Sequence, residues 1–188
     1  MSDMFVEFEM KQRIKAHDLF FDLFIEEKKI KARVAEIGCE MARNFKGQTP
    51  VFLGVLNGAS IFMADLVRAC DLDCEMAFVR LSSYEGTQSS GQLKKVLGLD
   101  LELKTRHVII VEDIIDTGLT MSRFIPEIES RQPASVSLAT LLLKPDALQC
   151  ALKMDYVGFE IPNKFVIGYG LDYNGLGRNL PAIYQLSE

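Results

Sequence analysis

Apolar residues along the chain follow two spacings, one typical of helices and one typical of buried strands. Residues 26–45 place an apolar side chain every three or four positions, which predicts an amphipathic helix. The buried stripe of this helix would consist of Ile30, Val34, Ile37 and Met41. Uninterrupted apolar runs predict strands at residues 49–56, 76–81, 107–111, 135–143 and 164–168. Further helices are expected near residues 60–70 and from about Leu119, with a kink or break at Pro126.

The strand and helix signals alternate, and the strand runs are rich in Val, Ile and Leu. Such runs are typical of a parallel sheet that helices cover on both faces. We therefore predict an α/β fold with a central, mostly parallel sheet flanked by helices. The chain has no repeat, low-complexity tract or linker-like stretch, so residues 1–188 are expected to form a single domain. Ligands of such sheets bind beyond the carboxyl ends of the strands, so the functional residues are expected there.

The charge balance and the cysteine content limit the possible partners. With 26 acidic against 21 basic residues, the net charge of -5 argues against a broad basic face for a nucleic acid polymer. No apolar run reaches the ~20 residues of a membrane helix, and residues 1–10 do not resemble a signal peptide. The four cysteines lack nearby histidines, which favours reduced thiols over disulfides or zinc. We expect a cytoplasmic protein without nucleic acid or membrane partners.

The most informative segment is residues 108–120, VIIVEDIIDTGLT. A buried strand runs directly into Glu112 and Asp113, and two such carboxylates are costly unless a divalent metal or ligand hydroxyls compensate them. Asp116 then opens a turn with hydroxyls and free backbone N–H groups at a helix start, which favours an anion such as phosphate. An isolated turn of this kind could simply cap a helix. The whole string favours a site for a sugar phosphate.

This string resembles the phosphoribosyl-pyrophosphate (PRPP) signature of the type I phosphoribosyltransferases. The resemblance implies that Glu112 and Asp113 bind the ribose hydroxyls, directly or through Mg²⁺. The 5′-phosphate would be bound by Asp116, Thr117, Gly118, Leu119 and Thr120. It also implies the family fold, with a core at about 25–150. A small purine-binding hood would form from the N-terminal segment and about 151–188.

Two further segments resemble loops of the hypoxanthine–guanine branch of that family. Residues 50–66, PVFLGVLNGASIFMADL, are similar to its pyrophosphate loop. That similarity implies that Leu56, Asn57 and Gly58 contact pyrophosphate. It also implies a cis peptide bond between Leu56 and Asn57. Residues 79–92, VRLSSYEGTQSSGQ, resemble the flexible catalytic loop, whose characteristic pair would be Ser83 and Tyr84.

A last segment, residues 156–178, resembles the purine- and metal-binding end of the same branch. The resemblance implies that Phe165 stacks on the purine and that Lys144, at the end of a predicted strand, donates to the 6-oxo group. Further purine contacts would come from Ile115, Val166 and Asp172. Arg178 would bind pyrophosphate, and the implied ligands of Mg²⁺ are Glu112, Asp113 and Asp172. From the local sequence pattern alone, Lys144 and Arg178 could be solvent-exposed surface residues, and Phe165 could be a side chain of the hydrophobic core.

Together these segments predict transfer of a 5-phosphoribosyl group from PRPP to hypoxanthine and/or guanine, which gives IMP or GMP and pyrophosphate. The resemblance makes Asp116 the general base toward the N7 proton, Mg²⁺ the cofactor, and a homodimer or homotetramer the assembly. Asn57 and Leu119 stand where several family members carry lysine, so phosphate binding would rely on backbone N–H groups there.

Two other functions remain open from the sequence. One is a 6-oxopurine transferase that prefers xanthine, because contacts at the purine 2-position depend on backbone geometry near Val166 and Asp172. The other is a PRPP-sensing regulator of gene expression, a fold relative without the transferase reaction. The acidic balance disfavours the regulator, since it would need a surface for nucleic acid.

Overall fold

The computed structural model describes residues 12–82, 94–97 and 101–187. The helices in these ranges are α1 (Glu27–Asn44), α2 (Ala59–Ala69) and α3 (Leu119–Glu129). The strands in these ranges are β1 (Arg13–Ala16), β2 (Leu19–Ile25), β3 (Val51–Leu56), β4 (Glu75–Ser82), β5 (Lys94–Leu97), β6 (His107–Ile115), β7 (Ser135–Leu143), β8 (Tyr156–Glu160), β9 (Val166–Ile167) and β10 (Ile183–Leu186).

The larger sheet gives the predicted α/β architecture. Over the described ranges it contains six strands in the order β5-β4-β3-β6-β7-β8. The strands β4, β3, β6, β7 and β8 are parallel, whereas β5 pairs antiparallel with β4 at the edge. The expected mostly parallel sheet is therefore confirmed, and the carboxyl ends of β3, β6 and β7 lie side by side.

The side chains of β3 show why the strand runs lack polar residues. Phe52 packs in one buried cluster with Ile30 of α1 and Phe62 of α2. The next residue, Leu53, belongs to a second cluster with Phe124 of α3. Because successive strand residues point to opposite faces, helices cover this sheet on both sides and every β3 position must be apolar.

A separate antiparallel sheet forms the hood. In the described part of the chain its order is β1-β2-β10-β9, so it joins strands from both ends of the sequence. It has its own small core, which includes Phe21, Ile167 and Tyr184. The hood of terminal segments implied by the resemblance is thus present. The segment 151–188 is divided, since β8 lies in the larger sheet and β9 and β10 lie in the hood.

The sequence predicted a strand of the parallel sheet at residues 164–168, and this prediction is wrong. Within this fully described run, Val166 and Ile167 alone are extended, and they pair antiparallel with β10. Gly168, with φ of +106°, turns the chain immediately afterwards. The parallel position belongs instead to β8, whose Gly158 and partly exposed neighbours weaken its apolar pattern.

A kink or a break was expected at Pro126, and the break is wrong, because α3 continues through this residue to Glu129. Proline removes one main-chain donor from a helix interior. The fully buried side chains of Phe124 and Ile128 hold the helix against the sheet on either side of it. Among the described residues, no helix combines the length and the apolar character needed to span a membrane.

Candidate active site

The carboxyl ends of β3, β6 and β7 bring the predicted site residues to one edge of the sheet. β3 leads into residues 57–58 and α2, β6 leads into residues 116–118 and α3, and β7 ends directly before Lys144. These three strands are neighbours in the sheet. Residues 168–178 of the hood lie over the same edge, since a side chain at Gly170 would collide with the backbone of Gly58.

Glu112 and Asp113 lie inside β6, which extends to Ile115, further than the apolar run predicted. Burial raises the pKa of Glu112 well above its ordinary value, and the neighbouring Asp113 raises it further. Burial also raises the pKa of Asp113, although main-chain N–H groups and Arg178 oppose that shift. Within the described part of the chain, Glu112 Oε2 is shielded from solvent and has no hydrogen-bond partner. Such an atom calls for a donor or a cation.

The loop after β3 packs directly against the Asp113 carboxylate. A Cβ atom at Gly58 would lie 1.5 Å from Asp113 Oδ2, so no other residue fits there without displacing that carboxylate. On the opposite side, a Cβ at Gly170 would lie 2.1 Å from the carbonyl oxygen of Gly58. The expected cis peptide bond between Leu56 and Asn57 is present. The loop is therefore held between a carboxylate of β6 and the hood.

Asp172 and Arg178 belong to one hydrogen-bonded hood loop. Asp172 Oδ1 forms an ion pair with Arg178, and Asp172 Oδ2 accepts from the backbone N–H of Gly175 at 2.7 Å. Arg178 Nη1 in turn donates to the carbonyl oxygen of Gly170 at 2.6 Å. Both charged groups influence the pKa of Asp113, which places them close to the acidic pair.

The turn at residues 116–120 forms the start of α3. Gly118 adopts φ of +77° as the N-cap, and the helix begins at Leu119. A cavity of about 110 Å³ is lined by this turn and the strand before it, including Asp116, Thr117, Gly118 and Thr120. No acidic residue occupies the first turn of α3. The backbone N–H groups of a helix start favour an anion, so the cavity suits a phosphate.

Lys144 and Asp116 form an ion pair that the sequence did not predict. The distance from Lys144 Nζ to Asp116 Oδ2 is 2.8 Å, and the Lys144 residue is only 7% exposed. The backbone N–H of Lys144 also donates to the carbonyl oxygen of Ile115 at 2.9 Å. The pair thus joins the ends of β6 and β7. The Asp116 side chain is 49% exposed, so its carboxylate faces the open side of the site.

Phe165 presents an exposed ring on the hood. Its residue is 43% exposed, although it follows the pattern of a core strand. The ring packs edge-on against Tyr173, with centroids 5.8 Å apart, and contacts Phe21 at 6.0 Å. The next residue, Val166, is buried and its main chain pairs with Gln185 of β10. The hood therefore supports an aromatic face that a flat ligand can cover.

The arrangement of the predicted metal ligands suits Mg²⁺ only when a substrate supplies further oxygens. Among the described residues, no group of three or more His, Cys, Asp and Glu side chains could hold a metal ion. Mg²⁺ is commonly held by one or two carboxylates together with phosphate and water oxygens. The unpartnered oxygen of Glu112 beside Asp113 fits this chemistry. Asp172 is paired with Arg178 and would bind Mg²⁺ separately from Glu112 and Asp113.

Ser83 and Tyr84, the pair predicted for the catalytic loop, lie outside the described residues. The sequence also gave no signal for three contacts that shape the site. These are the Lys144–Asp116 pair, the packing of Gly58 on Asp113, and a hydrogen bond between Tyr169 and Asp65. All three join residues that are far apart in the chain, so no spacing or periodicity reports them.

Comparison with protein families identifies the family of the chain. Residues 25–174 match the phosphoribosyl transferase domain. The chain belongs to this family. The hypoxanthine-guanine phosphoribosyltransferase of Bacillus subtilis (strain 168) is 43% identical over 162 residues, which cover 86% of this chain and 90% of that protein. The chain therefore belongs to the hypoxanthine-guanine phosphoribosyltransferase branch, as the sequence segments predicted.

Solved structures and a longer relative agree with this family. A hypoxanthine-guanine phosphoribosyltransferase from Bacillus anthracis has a TM-score of 0.83 and 35% identity, and covers 89% of this chain and 97% of its own. A hypoxanthine phosphoribosyltransferase from Staphylococcus aureus has a TM-score of 0.84 and 35% identity, with coverages of 88% and 91%. The bifunctional protein TilS/HprT of Listeria innocua is 44% identical over 168 residues, or 89% of this chain. The chain spans about a quarter, 26%, of that relative's length.

Glu112→Gln should stabilise the ligand-free protein at neutral pH, because burial disfavours the ionised form of this carboxyl. The pKa is raised in the folded state, so the unfolded chain releases the proton first as pH rises above 4.5. Wild-type stability therefore decreases from that pH up to the folded-state pKa, a loss that the variant avoids. Melting temperatures in EDTA should show an advantage that grows with pH, by about 2–4 °C for each kcal/mol gained.

The exposed Glu160 on β8 offers a matched control, since Glu160→Gln changes the same atoms outside the core. This variant should change the melting temperature less than Glu112→Gln does, because no carboxyl is buried at this position. A Glu112→Gln variant that melts below the wild type at every pH would show that burial of the charge is not what destabilises this strand.

Proposed function

We propose that this protein transfers a 5-phosphoribosyl group from PRPP to hypoxanthine and/or guanine, which gives IMP or GMP and pyrophosphate. The proposal is carried by the pairing of Lys144 with Asp116 at the ends of neighbouring strands. A 6-oxopurine protonated at N7 has a carbonyl acceptor and an N–H donor side by side on one edge. The ammonium of Lys144 matches the carbonyl, and the carboxylate of Asp116 matches the N–H. Adenine would place an amino donor against the ammonium instead.

The rest of the site is proposed to bind PRPP. Glu112 and Asp113 accept hydrogen bonds from the ribose hydroxyls, and the turn at 116–120 binds the 5′-phosphate at the start of α3. The backbone of Leu56, Asn57 and Gly58 binds pyrophosphate together with Arg178, whose planar guanidinium suits phosphate oxygens. The positive φ of Gly118 and the close approach of Gly58 to Asp113 support these roles.

In the proposed reaction, the bond from the anomeric carbon to a pyrophosphate oxygen breaks as a purine nitrogen bonds to that carbon. Asp116 accepts the N7 proton that the purine gives up. Lys144 stabilises the charge that develops on the 6-oxo group, while Arg178 and the backbone of residues 57–59 stabilise the departing pyrophosphate. Phe165 holds the purine by stacking, with Ile115 and Val166 at its edges.

Mg²⁺ is the proposed cofactor, and Glu112, Asp113 and Asp172 are the residues proposed to hold it. When bound, it would neutralise charge on the PRPP oxygens and so assist departure of pyrophosphate. The buried, unpartnered oxygen of Glu112 supports this assignment, because a hard cation would compensate it.

The same proposal places the enzyme in the cytoplasm, as a single domain over residues 1–188 that assembles into a homodimer or homotetramer. The four cysteines are free thiols, which is typical of a reducing compartment. Met76 and Phe78 are two positions apart in β4 and so lie on the same face of the strand. They are 47% and 37% exposed. An apolar pair of this kind is suited to burial by a second copy.

A PRPP-dependent assay with hypoxanthine, guanine, xanthine and adenine tests the proposed reaction. We expect IMP or GMP in MgCl₂, little AMP, and no product in EDTA. Formation of XMP alone would favour the xanthine-preferring alternative. Absence of any nucleotide, together with measurable PRPP binding, would refute the transferase and favour a PRPP-sensing regulator.

Asp116→Asn should lower turnover by roughly 10²-fold or more, because the amide cannot accept the N7 proton. The substitution preserves shape, and the amide oxygen can still accept from Lys144. PRPP affinity should therefore change little. Single-turnover rates at saturating PRPP and hypoxanthine measure the effect. A rate equal to that of the wild type would remove Asp116 from the role of general base.

Lys144→Ala should raise the KM for hypoxanthine and guanine by roughly 10- to 100-fold, which corresponds to the loss of one charged hydrogen bond. PRPP affinity should stay within a few-fold, since Lys144 faces the purine. Lys153→Ala removes an exposed lysine that is likewise paired with an aspartate, and serves as the control. Steady-state kinetics with each substrate varied separate the two effects. A larger loss for PRPP than for the purines would contradict the assignment of Lys144.

A further inference from the structure

Tyr169 is a buried residue that the proposed reaction does not use. It is 4% exposed, and its hydroxyl donates to Asp65 Oδ2 at 2.6 Å. Asp65 lies on α2, 104 residues earlier in the chain, and its other oxygen is paired with the exposed Arg68. Burial and this hydrogen bond raise the pKa of Tyr169, so the phenol remains a donor at physiological pH.

The backbone around Tyr169 is fixed on all sides. Tyr169 itself has φ of +49° and stands between two glycines with φ of +106°. Its backbone N–H donates to the carbonyl oxygen of Leu180 at 2.8 Å, and Gly168 and Leu171 exchange two backbone hydrogen bonds. These hydrogen bonds therefore connect the turn rigidly to the loop that carries Asp172 and Arg178.

Tyr169 and Leu171 of this hood turn pack in the same buried cluster as Phe62 and Leu66 of α2, and two directional contacts add to that packing. The first is the contact of Gly170 with the carbonyl of Gly58, directly before α2 begins at Ala59. The second is the hydrogen bond from Tyr169 to Asp65, six residues further along α2 or roughly 9 Å along its axis. Apolar packing is not directional, so the backbone contact and the hydrogen bond are the two contacts that define the orientation of the hood loop against α2.

We infer that Tyr169 is a positioning residue whose hydrogen bond to Asp65 holds the two halves of the pyrophosphate subsite in register. One half is the backbone loop at 56–58, and the other is the hood loop with Asp172 and Arg178. The inference rests on the proposed function, because it assigns pyrophosphate to these two loops. Loss of the bond removes one of the two directional contacts, so the hood loop that carries Arg178 shifts relative to the loop at 56–58.

Tyr169→Phe tests this role by removing the hydroxyl alone. In MgCl₂ without purine, calorimetry should show PRPP affinity about tenfold weaker than in the wild type. The KM for PRPP, and for pyrophosphate in the reverse reaction, should rise similarly. Affinity for IMP, which lacks pyrophosphate, and the KM for hypoxanthine should stay within about twofold, and kcat within about threefold.

Tyr156→Phe is the matched control, since Tyr156 is also buried, at 7% exposure, and its hydroxyl bridges β8 to Asn44 of α1. It should lower the melting temperature as Tyr169→Phe does, without changing PRPP affinity. Asp65→Asn keeps an oxygen acceptor and should retain more PRPP affinity than Asp65→Ala. Combining Asp65→Ala with Tyr169→Phe should add little further loss, because both break the same bond.

PRPP affinity within twofold of the wild type in Tyr169→Phe would overturn the inference. Equal losses for PRPP and IMP would do so as well, because they indicate general destabilisation rather than misplacement of one subsite. A wild-type protein that binds PRPP but makes no nucleotide would refute the proposed function. The comparison of PRPP and IMP affinities by calorimetry would still decide the role of Tyr169.

Discussion

The burial of Glu112 and Asp113 inside the central strand β6 is the constraint on which the rest of the site depends. Ionised carboxylates held away from water are unfavourable unless donors or opposite charges compensate them. Asp113 accepts from the backbone N–H of Ile114 at 2.8 Å and is influenced by Arg178. Glu112 Oε2 has no such partner among the described residues. The ligand-free fold therefore retains an unmet requirement for hydroxyl donors or a cation.

That constraint determines what its neighbours can be. Residue 58 is glycine where any Cβ would displace the Asp113 carboxylate. Residue 170 must be glycine as well, because the hood backbone approaches Gly58 from the other side and carries a positive φ. Three chain segments, from β3, β6 and the hood, thus converge on one pair of acids. The convergence brings Arg178 close enough to oppose the raised pKa of Asp113.

The pair formed by Lys144 and Asp116 gives the site a second, distinct electrostatic character. Lys144 is almost fully buried, so its ammonium needs a partner when no ligand is bound. Asp116 supplies that partner while its carboxylate stays half exposed. A proposed 6-oxopurine would take up both groups at once through adjacent atoms. The pair is therefore already formed in the absence of a ligand.

The chain's hydrophobic pattern determined the parallel core, because strands covered on both faces must be apolar at nearly every position. It also located the acidic strand end at 108–120 and the turn that follows, since these are contiguous residues. It misplaced the strand at 164–168, where pairing with β10 rather than apolar length decides the sheet. It also missed β8 and β10, whose positions depend on partners more distant in the sequence. The hairpin of β1 and β2 was missed as well, although its two strands are neighbours in the chain.

The sequence by itself determined the candidate residues for chemistry, whereas the tertiary structure alone decided which of them lie together. Nothing local links Lys144 to Asp116, Gly58 to Asp113, or Tyr169 to Asp65. These pairs are separated by 28 residues for the first and 104 for the last. They meet because parallel strands end at a common edge and because the hood docks over that edge. Contacts of this kind depend on packing in three dimensions, which periodicity along a chain does not encode.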